Sequence, residues 1–180
     1  MDLEFKILHW FYSLHNPILD KIAIFVTKLG SGGIFWIVLT AVMLTLSKKS
    51  KKPALTSALA LFLSVIMVNF VLKNTVARPR PCWIDRSIPM LVKIPKDFSF
   101  PSGHSSASFA SATAIFYYYR KQGILLYIIA ILIALSRLYL FVHFPTDVLC
   151  GTLIGIIDGI FAIFITVSYT HLTLPTKRIV

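Results

Sequence analysis

Three cations, two histidines and one carboxylate stand out by type and spacing. Lys73, Arg80 and Arg137 supply the positive charge, with Lys73 at the end of an apolar stretch. Such a set needs an anion, and arginine matches phosphate oxygens in a bidentate fashion. Ser102 and Gly103 open a helix, where backbone N–H groups and the positive end of the helix dipole favour the same ligand. Gly103 also permits close backbone approach. His143 and Asp147 are four residues apart across Pro145, at the expected first turn of a final helix. That spacing lets the carboxylate reach one imidazole nitrogen, fixing the tautomer and raising the basicity of the other. A histidine so held can attack phosphorus. His104 can serve as general acid to the leaving oxygen, while the cations stabilise the equatorial oxygens of the transition state. The expectation is phosphoryl transfer, with His143, His104 and Asp147 as the catalytic set and Lys73, Arg80, Ser102, Gly103 and Arg137 as the phosphate-binding set.

Competing readings exist for each of these types. A lone Lys or Arg near a membrane helix end is usually a snorkelling anchor, which suits Lys48, Lys49, Lys51, Lys52, Arg120 and Lys121. Arg86, Lys93 and Lys96 read the same way, or as aids in admitting an anionic headgroup. Arg78 lies off the pattern but close to it, and both roles stay open. A His–Asp pair can also bind metal. Three nearby cations repel a divalent ion, so no metal and no cofactor are expected. His9 and His15 read as interfacial side chains, and Trp10, Trp36 and Trp83 as residues of the membrane–water interface. Asp158 lies eleven residues beyond Asp147, about 16 Å deeper by helical rise, and reads as a buried protonated or hydrogen-bonded carboxyl.

Lys73-x6-Arg80-Pro81, Pro101-Ser102-Gly103-His104 and Ser136-Arg137-x5-His143-x3-Asp147 occur in that order. Together they resemble the three-part signature of the type 2 phosphatidic acid phosphatase superfamily, with no departure at its fixed positions. The resemblance extends in helix pattern from about Asn16 to Ile165. It implies a six-helix membrane bundle, a covalent phosphohistidine on His143 and no metal. A compact chain of this kind looks most like the bacterial undecaprenyl pyrophosphate phosphatases. Phosphatidylglycerophosphate and phosphatidic acid phosphatases share the motifs, so they stay as alternative substrates. A non-catalytic lipid-phosphate binder or transporter is a more remote one, since binding alone needs only the cations.

The elements that must position these residues are membrane helices. Of 180 residues, 57% are hydrophobic and 14% charged, and the mean hydropathy is +0.79. Soluble domains carry about 25% charged residues, and one this small has no interior for so much apolar surface. The fold expected is all-α: an integral membrane helical bundle of about six membrane helices, preceded by a short amphipathic interfacial helix over Asp2–His15. Asn16-Pro17 ends that first helix. Apolar stretches follow at Ile18–Leu29, Ile34–Leu46, Ala54–Leu72, Ser102–Tyr119, Ile124–Val142 and Val148–Val167. Gly151, Gly155 and Gly159 form a stripe suited to close helix packing.

Eighteen Lys and Arg against seven Asp and Glu give a formal charge of +11. The basic residues sit in loops that flank the membrane and in the phosphate cluster, so the expected partners are the bilayer and a lipid phosphate, with no nucleic acid. The short basic loops Ser47–Lys52 and Arg120–Gly123 fall on one side and fit the positive-inside rule. This places the long Lys73–Pro101 loop and the site on the extracytoplasmic side of a bacterial-type plasma membrane. Pairing of Cys82 with Cys150 is left open, with unpaired thiols as the default. From Val167 the chain changes character, and Val167-Ser168-Tyr169-Thr170-His171-Leu172-Thr173-Leu174-Pro175-Thr176 resembles a translated sequencing-library adapter. A single phosphatase domain over residues 1–166 is therefore expected, with 167–180 a non-native tail.

Overall fold

The computed structural model describes residues 2–173, and all its regular secondary structure is helical. Helix α1 (Asp2–Ser13) turns Leu8 inward and leaves Leu3 and Trp10 exposed, as an interfacial helix requires. Asn16 ends it and starts α2 (Pro17–Gly30): its side chain accepts from the N–H groups of Ile18 and Leu19, with Pro17 in the first turn. This is the ordinary chemistry of a helix start.

Helix α2 and helix α3 (Ile34–Leu46) were expected as separate segments. Here a single 3₁₀ turn, Ser31–Gly33, joins them, with φ of +60° at Gly32 and +68° at Gly33. The turn kinks the path without reversing it. Thr27 meets Arg137 near the end of α8 (Arg120–Tyr139). Further along, Trp36 bonds Ser108 of α7 (Gly103–Tyr118), and Thr40 bonds Ser57 of α4 (Lys48–Val65). Among the described residues four helical stretches are long and apolar enough to cross a membrane: Pro17–Leu46, Lys48–Ile84, Arg120–Tyr139 and Pro145–Ser168. Trp36, expected at the interface, is instead fully buried, because Ser108 offers its indole N–H an acceptor at 2.9 Å.

The basic loop at Ser47 also resolves differently. Ser47 and Ser50 form a reciprocal capping box, so Lys48–Lys52 belong to the first turns of α4. Beyond Val65 the helix widens into a π stretch, Ile66–Leu72, and closes with α5 (Lys73–Val76). Such bulges rotate the residues that follow and recur at functional sites. A short turn, α6 (Pro81–Ile84), begins the long loop.

Helix α7 is the centre of the bundle. Nearly all of Ser105 to Ile115 is buried, and small hydroxyl residues bridge to its neighbours, as Ser57–Ser111 and Ser64–Ser106 do at 2.7 Å each. Against it lies α9 (Pro145–Thr173), whose glycines leave no space for a side chain. A Cβ at Gly151 would stand 2.5 Å from the Ser102 carbonyl oxygen, and one at Gly159 2.6 Å from Thr113 Cβ. Of the tail expected over 167–180, the part beyond Thr173 lies outside the described residues. Cys82 and Cys150 are both free thiols. Asp158 is buried, and its Oδ2 lacks a partner among the described residues.

Candidate active site

Six of the eight residues singled out from the sequence line one cavity of about 320 Å³: Lys73, Arg80, Gly103, His104, Arg137 and His143. Five local devices supply them. Lys73 follows the π stretch of α4. Arg80 stands in extended backbone before Pro81. Gly103 and His104 open α7. Arg137 lies in the last turn of α8.

His143 sits on the turn between α8 and α9. Phe141, with φ of +57°, redirects the chain there. A bulky residue in the left-handed region is rare, and such strain gathers at functional sites. Its ring is held in the core beside Phe5 of α1, at 6.3 Å between centroids.

Arg80 is 2% exposed and fully engaged. Its Nη1 donates to the Val142 carbonyl at 2.7 Å and lies 3.1 Å from His143 Nε2. Its Nε donates to the Asp97 carbonyl at 2.7 Å, and Nη2 to Asp97 Oδ1 at 2.9 Å. Lys73 bonds the other oxygen of the same carboxylate. Asp97 was not singled out from the sequence, since nothing in its flanking residues marks it; only the loop path sets it between two of the phosphate cations. Burial alone would raise its pKa. The Lys73 hydrogen bond and the Arg80 charge outweigh that and hold it at about 2.

The other half of the cavity is unsatisfied. Among the described residues His104 Nε2 and Arg137 Nε are buried without a partner, while Arg137 Nη1 donates to Thr27 Oγ1 at 2.5 Å. Buried polar atoms are normally bonded, so two orphans on residues that line one cavity mark the place of a ligand. Both are donor-capable groups, which suits an anion.

Asp147 and Ser102 lie behind the cavity wall, fully buried. Asp147 Oδ2 is 3.6 Å from His143 Nδ1, longer than a hydrogen bond. It is bonded instead by Ser99 Oγ and by the Phe144 N–H at 2.8 Å. Ser99, also unmarked in the sequence, thus shares the carboxylate with His143, at 3.5 Å from Nδ1. Ser102 caps α7: its Oγ accepts from Ser105 Oγ at 3.0 Å, and its own N–H donates to the Asp147 carbonyl at 3.0 Å. That backbone donor is therefore occupied, and Gly103 and His104 are the helix-opening residues that face the cavity. Among the described residues no three His, Cys, Asp or Glu side chains gather as a metal's ligand set.

The profile of the PAP2 superfamily matches residues 53–171. The chain belongs to the PAP2 superfamily. It is therefore a hydrolase acting on phosphates of membrane lipids. The PAP2 chain is 30% identical over 155 residues to undecaprenyl-diphosphatase BcrC of Bacillus subtilis, covering 86% of this chain and 78% of that one. Aquifex aeolicus LpxE superposes with a TM-score of 0.78 at 30% identity, covering 90% of this chain and 95% of LpxE. The PAP2 type phosphatidylglycerolphosphate phosphatase of Bacillus subtilis superposes with a TM-score of 0.71 at 27% identity, covering 98% and 88%.

Proposed function

We propose that this protein cleaves a terminal phosphate from a lipid diphosphate, undecaprenyl pyrophosphate above all, through a phosphohistidine on His143. The observation that carries the reading is the cavity itself. It gathers His143, His104, Arg137 and Lys73 around one space, and His104 Nε2 and Arg137 Nε have no partner among the described residues. Burial first, then the charges of Arg80, Arg137 and Lys73, hold the pKa of His143 well below the ordinary histidine value. Its imidazole is thus neutral and nucleophilic at neutral pH.

In the first step His143 Nε2 forms a bond to phosphorus as the bond to the leaving oxygen breaks, and His104 gives that oxygen a proton. In the second, water attacks the phosphohistidine, His104 takes the water's proton, and the P–N bond breaks to release inorganic phosphate. Lys73, Arg80, Arg137 and the Gly103 end of α7 stabilise the oxygens throughout. The three cations would repel a divalent ion, so the reaction proceeds without metal. The site works at the extracytoplasmic face. Both basic turns lie together at the opposite end of the bundle, where Tyr119 Oη donates to the Lys49 carbonyl. Phosphatidylglycerophosphate is the second reading, favoured by the likeness to a phosphatase of that lipid. The unit that performs this chemistry spans residues 1–166, and resequencing the locus tests whether the stretch from Val167 is native.

The test is phosphate release by purified protein in detergent with EDTA. Undecaprenyl pyrophosphate, phosphatidylglycerophosphate and phosphatidic acid are compared, with His143→Ala as control. Release that survives EDTA, disappears in the variant and is fastest with the diphosphate supports the proposal. Activity retained by His143→Ala refutes the mechanism, and a different rank order reassigns the substrate.

A further inference from the structure

Arg78 stands two residues before Arg80 yet turns away from the cavity. Its Nη1 donates to Asp147 Oδ1 and to Thr146 Oγ1, both at 2.7 Å, and its Nη2 donates to Glu4 Oε2 at 2.6 Å. The guanidinium carbon lies 4.0 Å above the ring of Phe144. Glu4 completes the loop, with its other oxygen accepting from Thr146 Oγ1 at 2.6 Å. A fork held on three sides in this way has little freedom.

The charge balance around Asp147 gives this contact its weight. The carboxylate is wholly buried, and its Oδ2 meets neutral donors: Ser99, the Phe144 N–H and, further off, a neutral His143. A buried carboxylate needs a cation or a metal nearby, and Arg78 is the cation that bonds it. Where the guanidinium sits therefore decides which way Asp147 presents Oδ2 to His143. Glu4 in turn decides where the guanidinium sits. Glu4 belongs to α1, which leaves Leu3 and Trp10 exposed and whose Phe5 packs edge-on against Phe144 at 5.4 Å.

We propose that Glu4 and Arg78 are positioning residues for the His143–Asp147 pair, and that α1 is the brace through which its seat at the membrane surface sets the alignment of the nucleophile. This rests on His143 being that nucleophile. Glu4 and Arg78 touch no substrate, so their loss should lower kcat while leaving KM in place.

The experiment is a double-variant cycle of Glu4→Gln and Arg78→Met with full kinetics, on protein that is monodisperse in detergent. Glu4→Gln is expected to lower kcat roughly tenfold and Arg78→Met up to roughly a hundredfold, the range for a misplaced catalytic group, with KM unchanged. The combined variant should be no slower than Arg78→Met alone, because both act through one guanidinium. Arg78→Lys should recover part of kcat, since it restores the charge but not the fork. Multiplying kcat losses in the combined variant, or Glu4→Gln turning over at the parent rate, overturns the proposal. So does a lowered unfolding temperature with unchanged kcat per folded molecule. His143→Gln is run alongside. If it is inactive while Glu4→Gln is normal, only the brace fails; if it is active, the phosphohistidine reading fails first.

Discussion

His143 and Asp97 both hold their protons less tightly than the free side chains do, and each sets a measurable limit. Burial and the surrounding cations depress the proton affinity of His143, so its proton is lost at a lower pH than from a free imidazole. The acid limb of kcat/KM, which reports the free enzyme, should therefore fall below the ordinary histidine value of about 6.5. The same sign governs stability. Between the depressed folded value and about 6.5 only the unfolded chain binds this proton, so acidification through that window costs stability. His143→Gln should flatten the decline in unfolding temperature there. Asp97, held at about 2, is a carboxylate throughout the working range. It occupies Lys73 and Arg80 at every such pH, and an arriving phosphate must compete with it. Asp97→Asn should tighten inhibition by inorganic phosphate by up to roughly fivefold, about what a half-exposed ion pair is worth. The motif positions were legible because their chemistry is encoded in short spacings. Asp97 and Ser99 were not, because their significance arises only when the loop carries them across 24 residues to Lys73 and 48 to Asp147. Arg78 was visible as a cation near the site, but its bond to Glu4, 74 residues away, was not.

Helix α7 is gripped at the level of its backbone. Gly151 lies against Ser102 at the catalytic end, and Gly159 lies against Thr113 well inside the bundle. Gly151→Ala should therefore displace the opening turn of α7 and lower kcat at least tenfold, the cost of a small misplacement at a reacting group. Gly159→Ala should lower the unfolding temperature by the equivalent of about 1–3 kcal/mol of overpacking, with a smaller effect on kcat. Thermal unfolding in detergent and steady-state kinetics on the two variants separate these effects. The apolar segments and the glycine stripe were readable, since hydropathy and small-residue spacing act locally. The joint between α2 and α3 was not, because Gly30-Ser31-Gly32-Gly33 reads as a turn whether it reverses the chain or only bends it. The choice was made by neighbours: Trp36 finds Ser108, and Thr27 finds Arg137. The π stretch likewise has no local mark in Ile66–Leu72. It shows only as the ladder shift that precedes Lys73.

At the scale of the molecule, positive charge divides between two ends with different tasks. One end holds the lysines of the first turns of α4 with Arg120 and Lys121, and the other holds the phosphate cations. If the proposed orientation holds, a cysteine placed at exposed Lys93 should react with an impermeant maleimide in intact cells. One placed at exposed Lys49 should react only after permeabilisation, in a background lacking Cys82 and Cys150. Labelling of Lys49→Cys first would invert the topology. The cavity wall carries a last consequence. Beside its cations it includes Ile37 of α3 and Val65 of α4, which are 54% and 42% exposed on the flank of the bundle. A headgroup can thus reach the cations while its hydrocarbon tail stays between α3 and α4 in the lipid phase. Encounter is then a search in two dimensions. Turnover in mixed micelles should follow the mole fraction of substrate among the amphiphiles, and diluting the sample with buffer at a fixed lipid-to-detergent ratio should leave it unchanged.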